Sequence, residues 1–107
     1  MKKISLPNVL IFDWDDGNLE HIKKHKVEYS ECEDIFFDDP LFFADPNHSR
    51  TEERILAYGI TNDGRWLAVV FTIRNGRIRV ISPRDQNKKE RKIYAVNKKV
   101  SKETKGK

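Results

Sequence analysis

Arg54, Arg79 and Arg84 are the residues of this sequence whose type and placement suit chemistry. A guanidinium presents a planar fork of donors that contacts two oxygens of one phosphate, and losing one such contact in a transition state typically costs ~3 kcal/mol. If a base takes the proton of a substrate 2′-hydroxyl and an acid protonates the leaving oxygen, such cations suffice for RNA cleavage with no metal or protein nucleophile. An arginine in an ordinary cross-strand ion pair leaves the same trace in a sequence and contributes little. Other chemistries lack their residues. Cys32 is the single cysteine, which excludes an intramolecular disulfide and a thiolate metal cluster, fits a reducing compartment and reads as a buried thiol. His21 and His25 stand four apart on one predicted helix, but no Glu follows the first and no second thiol completes a metal set. There is no phosphate-cradling glycine loop and no serine nucleophile elbow. No cofactor is expected.

For the arginines to act together, strands must bring them to one face. Asn75-Gly76, flanked by Thr72-Ile73-Arg74 and Arg77-Ile78-Arg79, predicts a two-residue type I′ hairpin, which places Ile73 opposite Ile78, Thr72 opposite Arg79 and Phe71 opposite Val80. Asn62-Asp63-Gly64 suits a three-residue loop with Gly64 left-handed, giving a second hairpin upstream. Chaining the two registers puts Ile55, Ala57, Val69, Phe71, Ile78 and Val80 on a core face. The other face then carries a cross-strand row of Arg54, Thr72 and Arg79, with Leu56, Val70 and Ile81 in the next row. Arg84 emerges at the end of the same strand as Arg79, so three guanidinium groups are expected to converge. A slip of one residue would dissolve the row.

The remaining elements frame that sheet. Val9-Leu10-Ile11-Phe12 reads as a buried strand, and Asp13, Asp15 and Asp16 supply caps for a helix over 16–25 that contains Leu19 and Ile22, is weakened at Gly17 and ends at His25-Lys26-Val27. Ser30 and Glu33 have capping-box spacing for a second helix through Ile35 and Phe36, stopped before Asp38-Asp39-Pro40. Leu41-Phe42-Phe43 suggests a short edge strand, and residues 45–49 a polar loop. Asp85 is the expected cap of a last helix with Ile93, Tyr94 and Val96 as its apolar stripe and Lys88, Lys89, Arg91 and Lys92 as its polar side. From Lys98 the periodicity stops. One domain over 1–97 and a basic, disordered tail over 98–107 are expected.

The net charge of +4 over 107 residues hides a polarity. Residues 1–62 hold 7 Lys/Arg against 13 Asp/Glu, and residues 63–107 hold 14 against 4. A basic half of that strength attracts polyanions by steering and counterion release. The N-terminus has no apolar run of signal-peptide length and no stretch approaches the ~20 apolar residues of a membrane span, so a cytoplasmic protein without membrane contact is expected.

Residues 9–97 resemble the BrnT toxin family. The likeness is carried in order by Trp14-Asp15, Lys24-His25-Lys26-Val27, Asp39-Pro40, His48-Ser49 followed by Glu52-Glu53-Arg54, the hydrophobic strand pair, Ile78-Arg79-Val80-Ile81-Ser82-Pro83-Arg84, and Glu90-Arg91 with Tyr94. Two positions depart from the usual family text: Lys26 stands where Gly is usual, and Pro83, which removes a backbone donor, where Ala is usual. The resemblance implies an α+β, RelE-like fold, with N-terminal helices packed on a mainly antiparallel β-sheet and a C-terminal helix. It also implies a type II toxin that cleaves RNA and stops translation, and a BrnA-like ribbon-helix-helix antitoxin through which operator DNA is contacted. The alternative is a non-catalytic RNA-binding or co-repressor module acting with that partner. Position by position the resemblance carries over His48, Glu53, Arg54, Arg79, Arg84, Glu90, Arg91 and Tyr94. Of these, His48, Glu53, Arg54, Arg79 and Arg84 are expected in catalysis, with Arg77, Lys88, Arg91 and Tyr94 on RNA. Glu53 falls on the core face in the register above, where an ion pair with Lys24 competes with a role as base. Glu90 and Arg91 are equally suited to holding the last helix to the sheet.

Overall fold

Asn75 and Gly76 take φ angles of 52° and 75°, the left-handed pair that a two-residue hairpin demands, and they join two nine-residue strands. The computed structural model describes residues 3, 4, 6, 10–45 and 52–98. Within them β1 (Lys3–Ile4), β2 (Leu41–Ala44), β3 (Ile55–Ile60), β4 (Trp66–Arg74) and β5 (Arg77–Asp85) form one antiparallel sheet in that order. Gly64, at φ 87°, closes the β3–β4 turn, with the Thr61 and Arg65 backbones paired at 2.8 Å. The β3–β4 register runs from Ile55↔Phe71 to Ile60↔Trp66 as the sequence predicts. So does β4–β5 from Arg74↔Arg77 to Phe71↔Val80.

Beyond Phe71 the predicted register fails. A bulge between Val70 and Phe71 sets Val70 against Ser82 instead of Ile81, and Ala68 against Arg84. The extra residue falls on an outer strand that must also accommodate Pro83, whose missing N–H excludes it from a regular central ladder. Two other strand expectations are corrected. Leu41–Ala44 is not an edge, because β1 pairs beyond it. The strand expected over Val9-Leu10-Ile11-Phe12, of which Val9 lies outside the described residues, is reduced to a single parallel bridge at Phe12: Ile78 N–H donates to Ile11 O (2.7 Å) and Asp13 N–H to Ile78 O (2.8 Å). The chain leaves the sheet there because the cap of the next helix follows at once.

That helix, α1 (Asp16–Lys24), starts from Asp15. The Asp15 carboxylate accepts from Asn18 N–H (3.2 Å), and Asn18 Oδ1 accepts from Asp15 N–H (2.8 Å), a reciprocal cap that offsets the weakness of Gly17. It ends in a Schellman turn, with Val27 N–H on Ile22 O and Lys26 N–H on Lys23 O, and Lys26 sits at φ 57°. The left-handed site explains why this turn favours glycine. The next helix, α2 (Tyr29–Phe37), begins so soon after it that its cap is Glu28 with Glu31 (3.0 Å), not Ser30 with Glu33. Glu33 accepts from Trp14 Nε1 instead (2.8 Å). The last helix, α3 (Lys88–Asn97), is capped by Asn87, with Glu90 returning the bond at 2.9 Å. Asp85 is the end of β5 and pairs with Arg65 at 2.7 Å.

The architecture is α+β, with helices on both faces of the sheet. Against one face α1, α2 and the turn between them bury Ile22, Val27, Ile35 and Phe36 on Ala57, Val69, Phe71, Ile78 and Val80. A Cβ on Gly59 would lie 2.6 Å from Ile35 Cβ, so α2 approaches β3 more closely than any other residue would allow. On the other face Tyr94 of α3 packs with Leu41, Phe43, Leu56, Tyr58 and Ala68. Val96, expected on the apolar stripe, is exposed. Lys98 caps α3 and pairs with Asp39 at 2.8 Å, so the chain is tied down one residue into the expected tail; residues 99–107 lie outside the described residues. No helix among the described residues is long and apolar enough to cross a membrane.

Candidate nucleic-acid interface

Thr72 is the centre from which the site is laid out. It stands opposite Arg79, it is 1% exposed, and its hydroxyl donates to Glu53 O at 2.7 Å. That bond holds the segment entering β3 against β4, and continuing the β3–β4 register sets Arg54 beside Thr72 and Glu52 beside Arg74. The second pairing is visible as a fork, with Arg74 Nε and Nη2 donating to the two Glu52 oxygens at 2.6 and 3.1 Å. Arg79 makes a second fork: Nη1 and Nη2 donate to the Asp15 oxygens at 3.0 and 3.1 Å, and Nη1 lies 3.5 Å from Asp13. Arg54 makes no such fork among the described residues, and its Nε is buried without a hydrogen bond.

The electrostatics follow from this geometry. The Arg74 hydrogen bonds hold the Glu52 carboxyl below the usual range against a smaller effect of burial, with the charges of Arg54 and Arg79 adding to the pull. Asp15 is lowered by its bonds from Arg79 first and Asn18 second. Arg79 is raised by Asp15, and both burial and the neighbouring charge of Arg74 oppose that. Three guanidinium groups therefore share one corner of the sheet, with carboxylates on two of them. Like charges this close repel unless anions sit among them.

The trio differs from the expected one. Arg84 lies five residues along β5 from Arg79, about 16 Å at ~3.3 Å per residue, opposite Ala68. Its Nη1 and Nη2 donate to Glu90 at 2.6 and 2.7 Å, and Tyr58 OH reaches the same carboxylate at 3.4 Å. Glu90 in turn is held below the usual range by Arg84. This network fastens α3 to the sheet, aided by buried Gln86, whose Nε2 donates to Gly59 O and Leu67 O. Arg74, on the strand next to the turn, takes the place in the cluster expected of Arg84.

Other expected site residues are placed as follows. Glu53 is exposed and not on the core, because the core face runs out at Ile73, itself 43% exposed; no ion pair with Lys24 forms among the described residues. Arg77, Lys88 and Arg91 are exposed. Tyr94 is 3% exposed, with its hydroxyl on Asp39 O (2.9 Å) and its ring edge-on to Trp66, so it presents no face for a base to stack on and serves the fold. His48 lies outside the described residues. His21 and His25 are exposed with rings 5.1 Å apart, and no group of His, Cys, Asp or Glu fit to hold a metal occurs among the described residues. Cys32 is fully buried and desolvation pushes its thiol up to about 12, which removes it as a nucleophile. Sequence reasoning missed Asp13, Asp15, Glu52 and Arg74. The Glu52–Arg74 pair was open to it, since the same register that aligned Arg54 with Thr72 aligns these two.

The model of a family described as ribonuclease toxin, BrnT, of type II toxin-antitoxin system matches residues 14–90. The chain belongs to the BrnT family. None of the curated proteins matches it. The BrnT match begins at Trp14, one residue before the Asp15 cap, and takes in every member of the cluster from Asp15 to Arg79 together with Arg84 and Glu90. It stops before Arg91 and before Tyr94, whose burial already sets it apart from the site. As a BrnT protein the chain is a toxin of the ribonuclease class, and its type II setting implies an antitoxin partner.

Proposed function

We propose that this protein is a metal-independent endoribonuclease that cleaves mRNA in the cytoplasm, arrests translation, and is silenced by a ribbon-helix-helix antitoxin of the BrnA kind that also carries it to operator DNA. The observation that supports this most is the cationic row of Arg54 and Arg79 across Thr72, where no carboxylate among the described residues pairs with Arg54. In the proposed reaction the substrate 2′-oxygen bonds to phosphorus, the bond to the 5′-oxygen breaks, and the products end in a 2′,3′-cyclic phosphate and a 5′-hydroxyl. Arg54 and Arg79 stabilise the extra charge of the phosphorane, a role worth far more in a desolvated site than in water. The proton of the 2′-hydroxyl and that of the leaving oxygen are assigned to the segment 48–53, which carries His48, Glu52 and Glu53. Arg77, Lys88 and Arg91 supply backbone contacts.

A second reading, RNA binding without cleavage, is favoured by the carboxylates already filling the forks of Arg79 and Arg74. Induction of the chain alone and together with its neighbouring open reading frame separates the two. Growth arrest with cut RNA, relieved by the neighbour's product, is the expected result. Arrest without cut RNA would establish binding alone, and unimpaired growth of cells making the folded protein would contradict the toxin assignment.

A further inference from the structure

We propose that Arg74 is a second phosphate contact of this site, and that Glu52 and Asp15 are resident counter-ions which the RNA backbone displaces on binding. The inference rests on the ribonuclease reading and adds the way the substrate strand is held. Arg74 and Arg77 form the row next to Thr72 and Arg79, two residues along the strand, a step of about 7 Å that suits successive phosphates of an extended strand. Arg74 is used sideways, Nε with Nη2, on the two oxygens of one carboxylate, which is the geometry a phosphate's unesterified oxygens would take. Its side chain is 51% exposed, so a strand can reach it without unfolding anything, and an ion pair so exposed holds its partners weakly. Beside these forks Arg54 is half-buried, and no carboxylate among the described residues pairs with it. A phosphate that pairs with the Arg54 guanidinium places its neighbour along the strand where it exchanges with Glu52.

The rival explanation is that the Glu52–Arg74 pair only pins the hairpin to the segment before β3. The two differ in what neutralising the acid does. With full-length protein and a 2′-O-methyl RNA oligonucleotide that resists cleavage, Arg74→Ala is expected to weaken binding about tenfold and to reduce the log-log salt slope by about 0.7, the value of one phosphate on a single strand. Arg74→Lys should recover part of the affinity, because the charge remains while the fork is lost. Glu52→Gln should tighten binding about threefold, because it frees Arg74. Asp15 is the poorer probe, since it also caps α1. The proposal is overturned if wild-type protein binds and Arg74→Ala binds equally well with the same slope, or if Glu52→Gln weakens binding as much as Arg74→Ala. Wild-type protein that neither binds this oligonucleotide nor cuts unmodified RNA would overturn the ribonuclease reading itself.

Discussion

Lys26 shows how much a single backbone angle can ask of a side chain. A left-handed conformation costs an L-residue roughly 1 kcal/mol relative to glycine, and Lys26 accepts it at φ 57° because the Schellman bonds and the burial of Val27 fix the turn. Lys26→Gly should therefore raise stability by about 1 kcal/mol in denaturant titration; an unchanged or lowered midpoint would show that Lys26 is held by contacts beyond its backbone. The helix end was legible from His25-Lys26-Val27, and so was the unusual residue in it. The partners of the arginines were not. Arg79 was aligned correctly across from Thr72, but Asp13 and Asp15 reach it around the open side of β5, and no strand register contains that contact.

At the scale of elements, two-residue periodicity and turn chemistry specified three strands to the residue as far as Phe71, and then a bulge cancelled the extrapolation. Bulges leave no periodic trace, so the position of Arg84 could not be read. The Asp15 cap of α1 was legible, but the other two were not: Ser30 and Glu33, or Asp85, have suitable spacing, yet the Glu33 and Asp85 oxygens are spent on Trp14 and Arg65 and the true caps lie two residues away. Gly59 tests the seating of α2 on β3. Gly59→Ala should destabilise by about 2 kcal/mol, since a methyl 2.6 Å from Ile35 Cβ forces backbone apart in a packed core; a loss under about 0.5 kcal/mol would mean the helix shifts freely. Glu90 tests the seating of α3. Its folded pKa is depressed by Arg84, so its contribution is present above the unfolded value of about 4.3 and is lost as pH falls through the folded value. Wild-type stability should decline below about pH 4.3 more steeply than that of Glu90→Gln, which should be less stable by about 2 kcal/mol at neutral pH. Parallel acid profiles would contradict the assignment. Burial also pushes Tyr58 and Tyr94 up to about 12, which adds a loss of stability as pH rises from about 10 toward 12.

For the whole molecule, the charge polarity of the chain is largely consumed by the fold. Arg65, Arg74, Arg79 and Lys98 of the basic half pair with Glu31, Glu52, Asp15 and Asp39 of the acidic half. Composition therefore overstated how much bare positive surface meets a polyanion. What it could not reveal is where the acids and bases meet, which for Arg74 and Arg79 is the corner they share with Glu52, Asp13 and Asp15. With this corner proposed as the reacting centre, the deciding measurement is the rate at which purified protein cuts single-stranded RNA in the presence of a metal chelator, compared between wild type and Arg79→Ala. Wild type is expected to cleave and leave 2′,3′-cyclic phosphate ends, and the rate of a variant that still melts cooperatively is expected to fall by about 100-fold or more. Wild-type protein that leaves RNA intact, or a folded Arg79→Ala variant that cuts at the wild-type rate, would contradict that proposal.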